Sequence, residues 1–231
     1  MKLFKRILLG FLIVIIIIAT VFILNGKKMY EDKISETSLS DTIDIIRNSQ
    51  NYVKFENLPK DYINAVIAVE DHRFKDHGAI DPIAIGRALW INLTNFELKE
   101  GGSTITQQVA KNIFFMTEDK FATRKIAEIF AAYDLEKHYS KDDIIELYVN
   151  TIYFGDGYYG IKQACKGYLK KEPSEMTLYE CTMLAGIPNA PSVYSPTVNP
   201  DLTKSRQKKV ISDMVEYGYL SKEDADKIFE Q

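Results

Sequence analysis

The chain has 231 residues, a formal net charge of −3 and two cysteines. This length suits one domain of ordinary size with a small appendage. The near-neutral charge argues against a dedicated nucleic-acid-binding protein, which would be basic. Two cysteines are too few for a disulfide framework or a four-cysteine zinc site. Charged residues make up 26% of the chain, so wholesale disorder is not expected.

The first predicted element is an apolar helix over residues 7–24, which read ILLGFLIVIIIIATVFIL. Its 18 residues would span roughly 27 Å, close to the ~30 Å hydrocarbon core of a bilayer. Lys2, Lys5 and Arg6 precede it, so the positive-inside rule predicts a cytoplasmic tail at 1–6 and an extracytoplasmic remainder. A cleaved signal peptide is the alternative, but that would have a shorter apolar region and an Ala-x-Ala site. We predict an uncleaved signal anchor.

After the anchor, residues 25–52 are polar and are predicted to be a juxtamembrane connector. The remaining residues, 53–231, are predicted to form one domain. Its helix starts are marked by prolines and by capping residues. The predicted helices begin near Pro59, Asp81, Ser103 or Thr104, Thr123, Ser140, Thr177 and Ser221. Strand patterns of any length are missing from this part of the sequence, so we predict a mainly α fold.

Glu70 is the first candidate for chemistry. It falls on the apolar stripe of its predicted helix, together with Val66 and Ile67. A carboxylate at the end of such a stripe is partly desolvated, which raises its pKa and makes it a candidate general base. The alternative is an ordinary acid at a helix end, paired with Arg73 or Lys75.

A glycine-containing loop is the second candidate. Residues 101–108 read GGSTITQQ, with two glycines ahead of hydroxyl residues and a predicted helix. That arrangement suits an anion such as phosphate, although the Gly-Lys-Ser/Thr of a P-loop is missing. A plain loop with a helix cap is the alternative.

A third candidate is a cluster of charges around Arg124 and Glu128, which share one helix face at i,i+4. One interpretation is a surface salt bridge worth a few tenths of a kcal/mol. The other is a cationic patch, with Lys111, Lys120 and Lys125, that holds a pyrophosphate while Glu128 orients the cations or a metal ion.

Six short sequence blocks follow one another between about Val53 and Tyr219. They are EDHRFKDHGAID at 70–81, GGSTITQQVAKN at 101–112, RKIAE at 124–128, KDDIIELYVN at 141–150, YFG at 153–155 with GI at 160–161, and LAGIPNAPS at 184–192 with NP at 199–200. In sequence and order these blocks resemble the peptidoglycan glycosyltransferases of family 51, specifically the monofunctional, membrane-anchored kind.

The resemblance implies a lysozyme-like, two-lobed helical domain behind a single N-terminal transmembrane helix. It implies that the partners are lipid II, the growing glycan chain and the membrane. The GlcNAc 4-hydroxyl of lipid II would attack the lipid-linked donor and displace undecaprenyl pyrophosphate. A β-1,4 bond would form with inversion. Transpeptidases of the cell-wall machinery are further candidate partners, and no nucleic acid is expected.

The resemblance also assigns roles to residues. Glu70 matches the general base of the family, and Glu128 matches its second essential carboxylate. The substrate-binding residues would be Asp71, Ser103, Thr104, Gln107, Gln108, Lys111, Lys120, Arg124 and Lys125. The sequence requires no cofactor, and a divalent cation, Mg²⁺ or Mn²⁺, could bridge the pyrophosphate, although no dedicated metal cage is visible.

Two other functions stay open at this point. The first is a lysozyme-like glycan-cleaving enzyme, which would need a carboxylic acid but not the cluster of cations. The second is an inactive, membrane-anchored scaffold, against which the presence of both Glu70 and Glu128 argues.

Overall fold

The computed structural model describes residues 2–95 and 101–229, and their regular structure is helical. The α-helices are α1 Lys2–Glu36, α2 Leu39–Arg47, α3 Lys60–Glu70, α4 Pro82–Asn95, α5 Ile105–Phe114, α6 Phe121–His138, α7 Lys141–Thr151, α8 Ile161–Ala164, α9 Leu178–Gly186, α10 Pro200–Glu216 and α11 Lys222–Lys227. Short 3₁₀ or π turns cover Phe55–Asn57, Cys165–Leu169, Pro173–Glu175 and Ile187–Asn189. Within these ranges no strand forms, and the mainly α prediction is confirmed.

Helix α1 carries a long apolar run. Its most apolar window has a mean hydropathy of 3.4 and none of that window is buried, so by length and composition α1 could cross a membrane. The helix does not stop at the end of the apolar run. It continues to Glu36 and packs along α6, with Gly26 against Ile126. The Tyr30 hydroxyl donates a hydrogen bond to Asp134 Oδ2 at 2.7 Å.

The predicted connector at 25–52 is therefore ordered and packed against the domain over most of its length. Helix α2 buries Ile43 completely, and Arg47 at its end pairs with Asp143 of α7. The Tyr52 hydroxyl donates to Glu146. The connector prediction was made on the polar composition of this stretch. Most of its apolar residues, however, pack on the core, among them Tyr30, Ile34 and Ile43, although Ile45 is exposed.

Side-chain caps determine where the helices around the cleft begin. The Thr104 hydroxyl accepts from the Gln107 N–H at 3.1 Å, and the Gln107 side chain accepts from the Thr104 N–H at 2.9 Å. This capping box satisfies two N–H groups that the first turn of α5 would otherwise leave unpaired. Ser140 and Asp143 form the same box at the start of α7, and α9 begins in the same way.

The helices pack in two groups with a cleft between them. Helix α3 packs against α9 and α10, whereas α5 packs against α6 and α7. Large aromatic side chains fill the core, among them Tyr62, Phe74, Phe115, Tyr148 and Phe154. Residues of α3 and α10 line one side of the cleft and residues of α5 and α6 line the other.

Candidate active site

Glu70 ends α3, and its 9% exposed side chain lines the cleft. Oε2 accepts a hydrogen bond from Gln108 Nε2 at 2.9 Å, and Arg206 Nη2 lies 3.8 Å from Oε1. Burial raises the pKa of Glu70, and the favourable contacts with Gln108 and Arg206 only partly oppose this. Arg73, the partner in the alternative interpretation, pairs with Asp81 at 3.0 Å instead. Glu70 is thus a desolvated carboxylate with one oxygen, Oε1, that accepts no hydrogen bond from described residues.

The neighbouring Asp71 connects the end of α3 to the start of α5. Its Oδ2 accepts from the Ile105 N–H at 3.0 Å, and its Oδ1 lies 2.7 Å from His77 Nε2. Burial alone would lower the pKa of His77, but the hydrogen bonds with Asp71 and the Gly78 carbonyl raise it overall. Asp71 lines the cleft, yet both of its oxygens already bind protein groups. These contacts connect the end of α3 to α5 and to His77, and the contact of Asp71 with substrate stays a prediction.

Asp71, His77 and Asp81 place candidate metal-ligand atoms within 4.8 Å of one another. Asp81 is 1% exposed, accepts from the Ile83 N–H at 2.9 Å and pairs with Arg73. The oxygens of both aspartates thus serve to hold helix starts and loops. We assign the three residues to the support of the site and not to a metal.

The glycine-containing loop combines the two interpretations that the sequence left open. Gly101 and Ser103 line the cleft. Thr104 is 2% exposed, caps α5 and donates to the Ala79 carbonyl at 2.8 Å, so it does not face the cleft. Gln107 is 3% exposed and completes the cap while contributing to the cleft wall.

The charged cluster on α6 is not a surface salt bridge. Glu128 is 2% exposed, accepts from Lys125 Nζ at 2.8 Å and lies 3.3 Å from Arg124 Nε. Lys125 Nζ also donates to Ser103 Oγ at 2.7 Å, which joins the cluster to the loop before α5. A buried carboxylate with two cationic partners holds both cations in place at the cleft. Lys111 of α5 lines the same cleft.

The cleft has a volume of about 720 Å³. It brings together nine of the eleven predicted site residues: Glu70, Asp71, Ser103, Gln107, Gln108, Lys111, Arg124, Lys125 and Glu128. Thr104 is buried behind the wall. Lys120 lies outside the cleft: it is the N-cap residue of α6 and lines a second pocket beside α1. The prediction that Lys120 belongs with the other cations is not supported by its position.

The opposite wall of the cleft holds residues that the sequence analysis missed. Arg206 is 14% exposed and faces Glu70, and Lys209 pairs with the buried Asp213 one turn further along α10. At the end of α10, Tyr217 stacks on the His72 ring at 4.1 Å between centroids. Helix α10 begins at Pro200 with Asn199 as its N-cap residue, the same kind of start as the one recognised at Asp81. This Asn-Pro pair could have predicted α10 and, with it, the placing of Arg206 and Lys209 on one helix.

The largest run of exposed apolar side chains outside α1 lies on α4, where Trp90 is 71% exposed and Leu93 70%. Leu89 and Ile83 are exposed on the same helix, and Arg87 of α4 lines the cleft. This apolar surface is therefore adjacent to the candidate site.

The profile of the Transglycosylase family matches residues 36–215, a region that contains every residue lining the cleft except Glu216 and Tyr217. The chain belongs to the transglycosylase family. This confirms the resemblance that the six sequence blocks indicated.

Two relatives found by sequence agree with this assignment. A candidate transglycosylase of Cupriavidus necator is 42% identical over 80% of this chain and 80% of its own length. Penicillin-binding protein 1F of Bacillus subtilis is 40% identical over 88% of this chain, but the chain spans only 29% of that protein. Among solved structures, penicillin-binding protein 1A from Haemophilus influenzae overlaps 78% of this chain and 17% of its own, with 23% identity and a TM-score of 0.47.

Proposed function

We propose that this chain is a peptidoglycan glycosyltransferase that polymerises lipid II into β-1,4-linked glycan strands. One observation carries the proposal. A desolvated carboxylate, Glu70, lines the same cleft as a cationic cluster built by Lys125 and Arg124 around the buried Glu128. A transfer from a pyrophosphate-linked sugar to a hydroxyl needs these two parts, a base for the hydroxyl and positive charge for the leaving group.

At the acceptor, Glu70 would take the proton from the 4-hydroxyl of lipid II. Its raised pKa keeps the carboxylate basic enough to accept that proton. Oε2 is held by Gln108, while the buried Oε1 accepts no hydrogen bond from described residues and so would have its capacity free for the hydroxyl of a bound substrate. The hydroxyl oxygen would form the new bond to the donor C1, and the proton would remain on Glu70 until solvent takes it.

At the donor, the bond between C1 and the pyrophosphate oxygen would break with inversion at C1. The negative charge that develops on the leaving undecaprenyl pyrophosphate would be stabilised by Lys111, Arg124 and Lys125. Such preorganised charges stabilise a transition state without reorganisation. Glu128 would orient two of these cations and not touch the substrate, which fits its burial. A divalent cation would supply further positive charge at the pyrophosphate.

The packing of α1 on α6 supports access to a membrane-embedded substrate. The apolar run ends at Leu24, and Gly26 two residues later packs on Ile126 of α6. Ile126 directly follows Lys125, so the cationic cluster would lie near the bilayer surface. The exposed apolar face of α4, with Trp90 and Leu93, could contact the lipid tail or the membrane interface.

We further propose that the N-terminus is cytoplasmic and that the domain is extracytoplasmic, as the basic residues before the apolar run predict. The membrane, lipid II and the nascent glycan would be the partners, with transpeptidases of the cell wall as candidates.

The test is to incubate the purified full-length chain with pure lipid II, with and without Mg²⁺ or Mn²⁺. Polymer that a muramidase digests supports the proposal. Cleavage of preformed glycan without polymer would favour the glycan-cleaving alternative. If the folded protein binds lipid II but shows neither activity, the result would favour an inactive scaffold.

A further inference from the structure

A second pocket lies between α1 and the start of α6, away from the catalytic cleft. Its volume is about 490 Å³. The residues that line it are Asn25, Lys28, Met29, Asp32, Lys33 and Glu36 of α1, with Glu118, Lys120 and Thr123. None of them lines the cleft that holds Glu70.

The position of this pocket is set by α1. Lys28 is four residues beyond Leu24, the last residue of the apolar run, and Asp32 is one turn further. At 1.5 Å per residue these positions are about 6 and 12 Å above the hydrocarbon boundary. Helix side chains lean toward the N-terminus, here toward the membrane. Lys28 thus lies at the depth of the lipid headgroups, which occupy roughly 5–8 Å on each side of a bilayer, and Asp32 lies beyond them with its side chain leaning back toward them.

One part of the pocket is positive. Lys28 and Lys120 are exposed, and neither makes an ion pair within the described part of the chain. The 18-residue helix α6 starts beside them without a side-chain cap and without an acidic residue in its first turn. Its first N–H groups and its dipole therefore favour an anion at this point.

The other part is negative. Lys33 is neutralised by Glu118 at 3.1 Å, which leaves Asp32 and Glu36 as the unpaired acids of the lining. Both lie further from the membrane than Lys28 on the same stripe of α1, at steps of four residues. Along α1 the pocket thus presents Lys28 nearest the hydrocarbon and the two carboxylates farther out.

We propose that this pocket binds the headgroup of an outer-leaflet phospholipid that carries a primary ammonium. The phosphate, which lies next to the glycerol, would bind Lys28, Lys120 and the start of α6. The ammonium, at the outer end of the headgroup, would donate to Asp32. A bound lipid would thereby contact both α1 and α6, the two elements that hold the cationic cluster at the membrane.

The probe is phosphatidylethanolamine, titrated onto the detergent-solubilised full-length chain and followed by native mass spectrometry. Phosphatidylcholine, whose methylated ammonium cannot donate hydrogen bonds, and phosphatidylglycerol, which has none, are the comparison lipids. We expect one phosphatidylethanolamine to bind in preference to both. The double variant Lys28→Ser, Lys120→Ser should bind it roughly tenfold more weakly, since two charge-assisted contacts are lost.

The matched control is Lys27→Ser with Lys208→Ser. Lys27 is next to Lys28 but pairs with Glu31 and does not line the pocket. The control should bind phosphatidylethanolamine as the wild type does, and the Tm of both double variants should lie within a few degrees of the wild-type Tm.

Three results would overturn the proposal: equal binding of the three lipids, unchanged binding by the Lys28/Lys120 variant, or an equal loss of phosphatidylethanolamine binding in the control. Preference for phosphatidylglycerol would overturn the pairing of an ammonium with Asp32. Because the readout is lipid binding, it is independent of glycosyltransferase activity.

Discussion

Gly26 of α1 and Ile126 of α6 approach so closely that a Cβ on Gly26 would lie 2.5 Å from Ile126 Cγ2. This contact joins the end of the apolar run to the helix that carries Arg124, Lys125 and Glu128. The distance along α1 between the membrane and the catalytic domain is therefore determined by helix packing and not by a flexible connector.

Gly26→Ala should destabilise the domain, because the added methyl group collides with the branched Cβ of Ile126. Overpacking of this kind costs about 1–3 kcal/mol. For a domain of this size that lowers Tm by roughly 2–10 °C, measured in detergent. Gly10→Ala is the matched control, because nothing lies within 4 Å of a Cβ there. Adding Ile126→Ala to Gly26→Ala should restore part of the lost Tm. If the Tm does not recover, the destabilisation does not come from direct contact between positions 26 and 126.

Glu128→Gln should reduce polymerisation by roughly 10²-fold, since the cations that stabilise the leaving group lose the carboxylate that orients them. The matched control is Glu136→Gln on the same helix, where Glu136 pairs with Lys141 at 2.7 Å outside the cleft. Even if the Tm of Glu136→Gln falls as far as that of Glu128→Gln, Glu136→Gln should polymerise lipid II at the wild-type rate. If both variants lose activity in proportion to Tm, Glu128 has only a structural role.

Arg206→Met should move the acidic limb of the pH–rate profile to higher pH. The guanidinium lowers the pKa of Glu70, so its removal lets the carboxyl stay protonated, and inactive as a base, at higher pH. The profile of kcat/KM against pH for lipid II polymerisation measures this shift. Lys208→Met on the same helix is the control and should leave the limb in place. An unchanged limb in Arg206→Met would contradict the coupling between Arg206 and Glu70.

Glu70→Gln should raise Tm near pH 7.5. Burial gives Glu70 a higher pKa in the folded chain than the ordinary value of 4.5. Folding is therefore not penalised at pH values below 4.5, and stability is lost as pH rises from 4.5 through the folded-state pKa. The glutamine carries no charge, so its burial has no such cost. The two proteins should therefore have the same Tm near pH 4, and Glu70→Gln should have the higher Tm at pH 7.5. A variant that melts lower than the wild type at pH 7.5 would contradict the raised pKa.

Much of the fold and the site was predictable from local signals. The caps at Thr104 and Ser140 and the stripe that ends at Glu70 depend on residues close in sequence, which is why they could be read directly. Arg206 and Lys120 depend on tertiary structure. The approach of α10 to α3 brings Arg206 to Glu70, and the packing of α1 beside the start of α6 places Lys120 in the second pocket.

The apolar residues at 113–116 do not fit one helical face, a pattern that suits either the core or a membrane contact. In the structure Phe115 is completely buried and Phe114 packs on the core, whereas Met116 is 49% exposed. Apolar sequence alone does not distinguish core from membrane contact, because both environments favour the same side chains.

The central claim is that Glu70 is the base of a lipid II polymerase. The most direct measurement compares the initial rates of lipid II polymerisation by full-length wild type and Glu70→Gln, with folding of both checked by their melting curves. We expect polymer from the wild type and a rate lower by roughly 10²–10⁴-fold in the variant, the range for loss of a general base. A folded Glu70→Gln protein that polymerises lipid II at nearly the wild-type rate would contradict it.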